Sequence, residues 1–213
     1  MTHPSDFILV LVILVNFLLC GTSRMRVCIQ AAALQGALVS ALPLLLEHHL
    51  SVRSIVLSAG AAALKGVLIP SLLNKALRDL AIRREVEPYI GFVASVLLCA
   101  VGTGVAILLA NKLPLAPEHA GSLIVPTALA TLLSGFIILT TRRKAITQVV
   151  GYLILENGIF VFGLLLLDVM PSLVEVGVLL DLFVGIFVMG IVINHIQREF
   201  SSDDTERLSH LKE

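Results

Sequence analysis

Apolar runs of bilayer-crossing length recur along this chain of 213 residues. A run of ~20 apolar residues reads as a membrane-spanning helix rather than a core helix of a soluble domain. Seven spans are expected: Phe7 to Ser23, Val27 to Leu46, Ser54 to Leu77, Tyr89 to Leu109, Gly121 to Thr141, Ala145 to Leu167 and Ser172 to Ile196. Pro43, Pro70 and Pro126 fall inside or near the ends of spans, where neighbouring helices tolerate the carbonyls they free. The first run has no basic segment before it and no A-x-A cleavage site after it, so it reads as a permanent span. Composition agrees, with 57% hydrophobic residues, 14% charged residues and a mean hydropathy of +0.99, well away from the soluble mixture. The expected fold class is an all-α integral membrane protein.

The cations set the expected orientation, because cytoplasmic loops carry the excess of Lys and Arg. With the N-terminus outside, twelve of the fifteen cations fall inside: Arg24, Arg26, Lys75, Arg78, Arg83, Arg84, Arg142, Arg143, Lys144, Arg198, Arg207 and Lys212. Arg53 and Lys112 fall outside, and Lys65 lies within a span. The expectation is an N-terminus outside and a C-terminus in the cytoplasm. The loop Thr22-Ser23-Arg24-Met25-Arg26 with Gln30 aligns, at an offset of 118, with Thr140-Thr141-Arg142-Arg143-Lys144 and Gln148. Duplication and coincidence both account for so short a match. Duplication would make a parallel 3+1+3 arrangement: a three-helix unit at 1–80, a connecting fourth helix with its loops at 81–120, a second three-helix unit at 121–197 and a charged tail at 198–213.

Ionisable residues inside spans carry the functional reading. Glu156 sits about twelve residues beyond Lys144, which at ~1.5 Å per residue is roughly 18 Å into its helix, near the bilayer midplane. A charge there costs roughly 3 to more than 10 kcal/mol, so it persists only if protonated, paired or in touch with internal water. Lys65 and Asp181 come out within a few ångströms of the same level by the same counting. Ser58, Ala61 and Ala62 share the face of Lys65, while Gly177 and Gly185 flank Asp181 by one turn either way. Small neighbours of this kind point each charge towards a packed helix rather than lipid. Three ionisable groups at one depth fit a proton path, whereas a static ion pair or hydrogen-bonding glue is the structural alternative. Glu175 lies near the outer end of the seventh span and reads as an interfacial side chain. His48 and His49 beside Glu47 form an outer-loop cluster, read as solvated in preference to a metal site.

The segment RRKAITQVVGYLILENGIF followed by LLDLFVGIFVMGIVINHIQRE resembles component E of hydrogenase-4, a membrane subunit of group 4 [NiFe]-hydrogenase complexes related to formate hydrogenlyase. Its most specific part is Leu155-Glu156-Asn157 after the Arg142-Arg143-Lys144 loop. Spans five to seven are also similar to the three-helix K subunit of bacterial complex I and to the C subunit of Mrp-type sodium/proton antiporters. In that pattern an arginine pair, here Arg142 and Arg143, precedes a helix bearing a glutamate, matched by Glu156. A second acid with glycine four residues on is matched by Asp181 and Gly185. Asn157 departs from the pattern by following the glutamate directly, and the arginine-to-glutamate spacing is about one turn longer here.

The resemblance implies a lateral proton or charge relay with Glu156 and Asp181 at its matched positions; the shared depth adds Lys65 as a candidate, and Glu175, Asn157, Arg142 and Arg143 are candidate accessory residues. It also implies a bacterial or archaeal inner-membrane setting. The implied partners are antiporter-like and complex I H-like membrane subunits and a peripheral hydrogenase arm. The nickel–iron centre and iron–sulfur clusters would lie on those partners, leaving no cofactor, metal or catalytic residue in this chain. The residues themselves offer no CxxC set, no nucleotide loop and no Ser–His–Asp arrangement, and Cys20, Cys28 and Cys99 read as small buried thiols. A formal net charge of zero gives no case for nucleic-acid binding. The expected function is a subunit without catalysis of its own in a proton-translocating, hydrogenase- or complex I-related assembly. An Mrp-type antiporter subunit, a stand-alone transporter and a purely structural packing subunit are the alternatives.

Overall fold

The computed structural model describes residues 4–46, 52–79, 86–113 and 122–166, together with residues 176, 177, 183 and 190. These residues build α1 (Pro4–Gly21), α2 (Met25–Leu46), α3 (Val52–Ala63), a π-helical turn (Leu64–Leu68), α4 (Ile69–Asp79), α5 (Phe92–Ala110), α6 (Ile124–Thr141), α7 (Ala145–Gly163) and a closing 3-10 turn (Leu164–Leu166). α3, the π turn and α4 follow one another without a break and make a single rod. Five stretches are long and apolar enough to cross a membrane: Met25–Leu46, Ser54–Arg78, Phe92–Ala110, Ile124–Thr141 and Ala145–Leu166. They match the expected second to sixth spans to within a few residues. The first expected span is a shorter apolar helix, Ser5–Gly21. The seventh, Ser172–Ile196, lies outside the described residues except for Val176, Gly177, Phe183 and Gly190, and the tail 198–213 lies outside them entirely.

Four helices form the centre, with α1 packed on α2, α2 on α7, α7 on α6 and α6 on α1; α3 and α4 lean on α2, and α5 leans on α6 and α1. The α6–α7 pair is the tightest, and glycines explain why. A Cβ at Gly135 would stand 2.5 Å from the backbone nitrogen of Leu155, one at Gly151 2.7 Å from that of Leu139, and one at Gly158 2.7 Å from that of Leu132. Small residues on both partners therefore let the two backbones touch, which is the usual source of affinity between helices in a bilayer.

The apolar interior is split in two. One cluster gathers Leu19, Met25, Ile29, Leu73, Ile146 and Ile154 among others. The second gathers Leu9, Val12, Val39, Leu42, Ala128 and Val161. Along α1, α2, α6 and α7 the chain passes from one cluster to the other at Asn16, Gln35, Thr131 and Asn157, so a polar seam divides two apolar layers.

The π turn has a local cause. Pro70 has no N–H for the carbonyl of Gly66, and its ring crowds the preceding turn. A wider turn just before the proline relieves that crowding, and the N–H of Ile69 closes it on the carbonyl of Leu64. The rod is held against α2 at this point, where a Cβ on Gly36 would come within 2.7 Å of Lys65 Cβ.

One end of the bundle is closed by three connecting segments. Val86 N–H donates to Ser23 O at 2.8 Å, Tyr89 N–H to Thr141 O at 2.8 Å and Arg143 N–H to Glu87 O at 3.0 Å. An isolated antiparallel bridge joins Pro88 and Arg142, and Lys144 pairs with Glu87 at 3.1 Å. The segments 22–24, 86–91 and 142–144 thus share one end.

Candidate functional site

Lys65 projects from the π turn into the groove between α2 and α7. Its Nζ donates to Asn157 Oδ1 at 3.2 Å and stands 5.5 Å from the ring centre of Phe160. From Asn157 the contacts continue inward. Asn157 Nδ2 faces Gln35 Oε1 at 3.5 Å, Gln35 Nε2 donates to Asn16 Oδ1 at 2.6 Å, and Asn16 Nδ2 donates to Thr131 Oγ1 at 2.9 Å. Asn16, Gln35 and Thr131 are 0% exposed. A ladder of side-chain hydrogen bonds therefore crosses the bundle from the π turn through α7, α2 and α1 to α6. In an apolar interior each of these groups would cost several kcal/mol if left unpaired, so the ladder fixes the register of five helical segments at once.

Glu156 precedes Asn157 and is buried at 3% exposure in the same stretch of α7. A narrow cavity of about 10 Å³ opens beside Lys65 and Asn157, walled by Ile29, Ala33, Leu73 and Leu153. That volume holds about one water molecule. Because it runs along α4 from Lys65 towards Leu73, it approaches the end of the bundle that carries the cationic loops. The chemistry on offer is a half-buried cation, a buried carboxyl group and a water-sized space between apolar walls.

Arg142, expected as an inner-loop cation, is buried in the structure. It is 1% exposed, with Nη2 donating to Cys20 O at 2.8 Å and Nη1 to Ser95 Oγ at 3.2 Å. Its guanidinium lies 5.2 Å from the ring centre of Phe92. Cys20 O belongs to the last turn of α1, so the cation caps the negative end of that helix dipole. Burial pushes the Arg142 pKa down from its usual value. Gln148 Nε2 donates to the Arg142 carbonyl at 3.0 Å and holds the loop from below. Arg143, by contrast, is exposed and stacks over Tyr89 at 4.9 Å.

The structure thus brings Lys65 to Asn157, the immediate neighbour of Glu156. It separates Arg142 and Arg143 from that group and gives them the bundle's end. Ser58 and Ala61, on the Lys65 face, are buried. Cys20, Cys28 and Cys99 are free and buried. Asp181, Glu175, His48 and His49 lie outside the described residues. Sequence reasoning overlooked Asn16, Gln35 and Thr131. The two amides inside apolar runs were the available signal, since polar side chains at membrane depth hydrogen-bond across helices.

No family model matches the chain, and no solved structure matches it. The chain is 30% identical to the uncharacterized protein Rv0085 of Mycobacterium tuberculosis over 205 residues, covering 94% of this chain and 92% of that protein. It is 28% identical over 160 residues to hydrogenase-4 component E of Escherichia coli K12, covering 74% of this chain and 73% of the relative. The match to hydrogenase-4 component E of Shigella flexneri has the same identity and extent.

Proposed function

Because this chain belongs to the family of the Mycobacterium tuberculosis protein and is distantly homologous to hydrogenase-4 component E, we propose that it is a membrane subunit of a hydrogenase-type complex that relays protons within the bilayer. Lys65 and Glu156 are its central groups, with Asp181 as the third, and Asn157 holds Lys65 in place. Seven spans, with Ser172–Ile196 as the last, complete the arrangement, and spans five to seven form a K-like three-helix unit. The N-terminus faces outward and the C-terminus the cytoplasm. The redox centres sit on partner subunits, so this chain binds no metal and carries out no redox step. Arg142 and Arg143 act structurally, as a lock on the loops at one end.

The observation that carries the reading is the Lys65 Nζ–Asn157 Oδ1 contact at 3.2 Å, next to the buried Glu156 and opening on a water-sized cavity. Groups that can gain and lose protons at membrane depth are expensive and are kept where charge moves.

Glu156→Gln tests it, because Gln keeps shape and hydrogen bonding but cannot release a proton near neutral pH. The expected result is normal assembly and hydrogen-dependent redox turnover with proton movement lost. Both are measured in the same membrane vesicles. Proton movement at the wild-type ratio to turnover would remove Glu156 from any relay and leave it as packing.

A further inference from the structure

The donors in the buried ladder all point one way. As an ammonium, Lys65 Nζ can only donate, so Asn157 must turn Oδ1 to it. That choice leaves Asn157 Nδ2 facing Gln35 Oε1. Gln35 Nε2 is then turned to Asn16 Oδ1, and Asn16 Nδ2 to Thr131 Oγ1. Flipping any one amide alone would set two donors or two acceptors against each other, so the three amides turn together. Bulk water does not reach Asn16, Gln35 or Thr131, which are 0% exposed. One turn before Thr131, the equally buried Thr127 has an Oγ1 with no hydrogen-bond partner among the described residues. The ladder therefore ends at a polar position that its own side chains do not complete.

We propose that Gln35 and Asn16 are positioning residues of the relay, holding Asn157 with its carbonyl oxygen on Lys65 and passing the protonation state of Lys65 to the Thr131 hydroxyl in α6. The idea rests on the relay reading above and adds residues and a direction to it. When Lys65 gives up its proton to water in the adjoining cavity, Nζ gains a lone pair and accepts. Asn157 then turns Nδ2 to it, Gln35 and Asn16 follow, and Thr131 ends as a donor to Asn16 Oδ1. No covalent bond within the ladder forms or breaks. The amides carry orientation, and the proton leaves by the cavity. Lys65 on one flank of the bundle and α6 on the other are coupled by that reversal.

The test is the ratio of protons moved to electrons transferred, measured with the assembled complex in native membrane vesicles. Gln35→Leu keeps the size of the side chain and cuts the ladder, and the ratio is expected to fall about tenfold, as misplaced reacting groups do. Redox turnover, which resides on partner subunits, continues. Gln35→Glu, whose protonated carboxyl offers one donor and one acceptor, restores the ratio to within about twofold. Thr131→Val lowers the ratio and Thr131→Ser restores it, which carries the test even if Gln35→Leu does not assemble. A merely structural role would lower the amount of complex and leave the ratio alone, and that result overturns the proposal. If Glu156→Gln abolishes proton movement while Gln35→Leu and Thr131→Val keep the wild-type ratio, the ladder fails and the relay stands. If Glu156→Gln also keeps that ratio, both fail.

Discussion

Arg142 shows how much a single side chain settles in this protein. Its guanidinium reaches the α1 C-terminus through Cys20 O and the α5 N-terminus through Ser95 and Phe92. A lysine could keep the charge yet reach only one of the two acceptors, and it would lose the planar stack on Phe92. Losing one buried bond to a charged group costs about 2 kcal/mol, so Arg142→Lys is expected to destabilise the isolated protein by about that amount. Denaturant titration in detergent measures it, and a cost below roughly 0.5 kcal/mol would mean the lock is idle. The neighbouring Arg143→Lys serves as control, because that side chain is exposed. Nothing in the local sequence separates the two arginines, which read alike as inner-loop cations. Burial of one depends on the segment 86–91 folding over the 142–144 loop, a contact far apart in sequence. Asn16 and Gln35 are the opposite case: their depth within apolar runs was legible, but which amide meets which depends on how α1, α2, α6 and α7 pack.

Helices were the legible level, because a long apolar run in a membrane has one economical way to pair its backbone. The expected Ala145 to Leu167 span and the observed Ala145–Leu166 stretch differ by a residue for that reason. The π turn was less legible, although Pro70 marks where an interruption has to be absorbed. What no run reveals is which helices touch. The α6–α7 contact depends on Gly135, Gly151 and Gly158, where a methyl group would meet backbone rather than a flexible side chain. Gly158→Ala is therefore expected to push the helices apart and cost roughly 1–3 kcal/mol. At Gly104 in α5 a methyl would meet nothing within 4 Å, so Gly104→Ala should be neutral or slightly stabilising. Equal effects at the two positions, read as unfolding midpoints of the purified variants, would show that the close approach of α6 and α7 contributes nothing to stability.

At the scale of the whole molecule, the proposed relay would take its protons from the side of the membrane that the cationic loops face. The segments 22–24, 86–91 and 142–144 are hydrogen-bonded to one another, so the exposed Arg24, Arg26 and Arg143 must face the same compartment. Lys112 lies just beyond the C-terminal end of α5, a helix whose N-terminal end touches that loop cluster, and so falls on the opposite side. By the excess of cations the cluster is expected in the cytoplasm, and in the proposed relay protons would then reach Lys65 along α4 from within. Single-cysteine variants at Arg26 and Lys112, with Cys20, Cys28 and Cys99 replaced by serine or alanine, separate the possibilities. A membrane-impermeant maleimide added to intact cells should modify the Lys112→Cys protein and spare the Arg26→Cys protein until the membrane is opened. Modification of Arg26→Cys from outside would invert the molecule and make the cavity an external inlet. Modification of both from one side would break the alternation of spans that the three joined segments require.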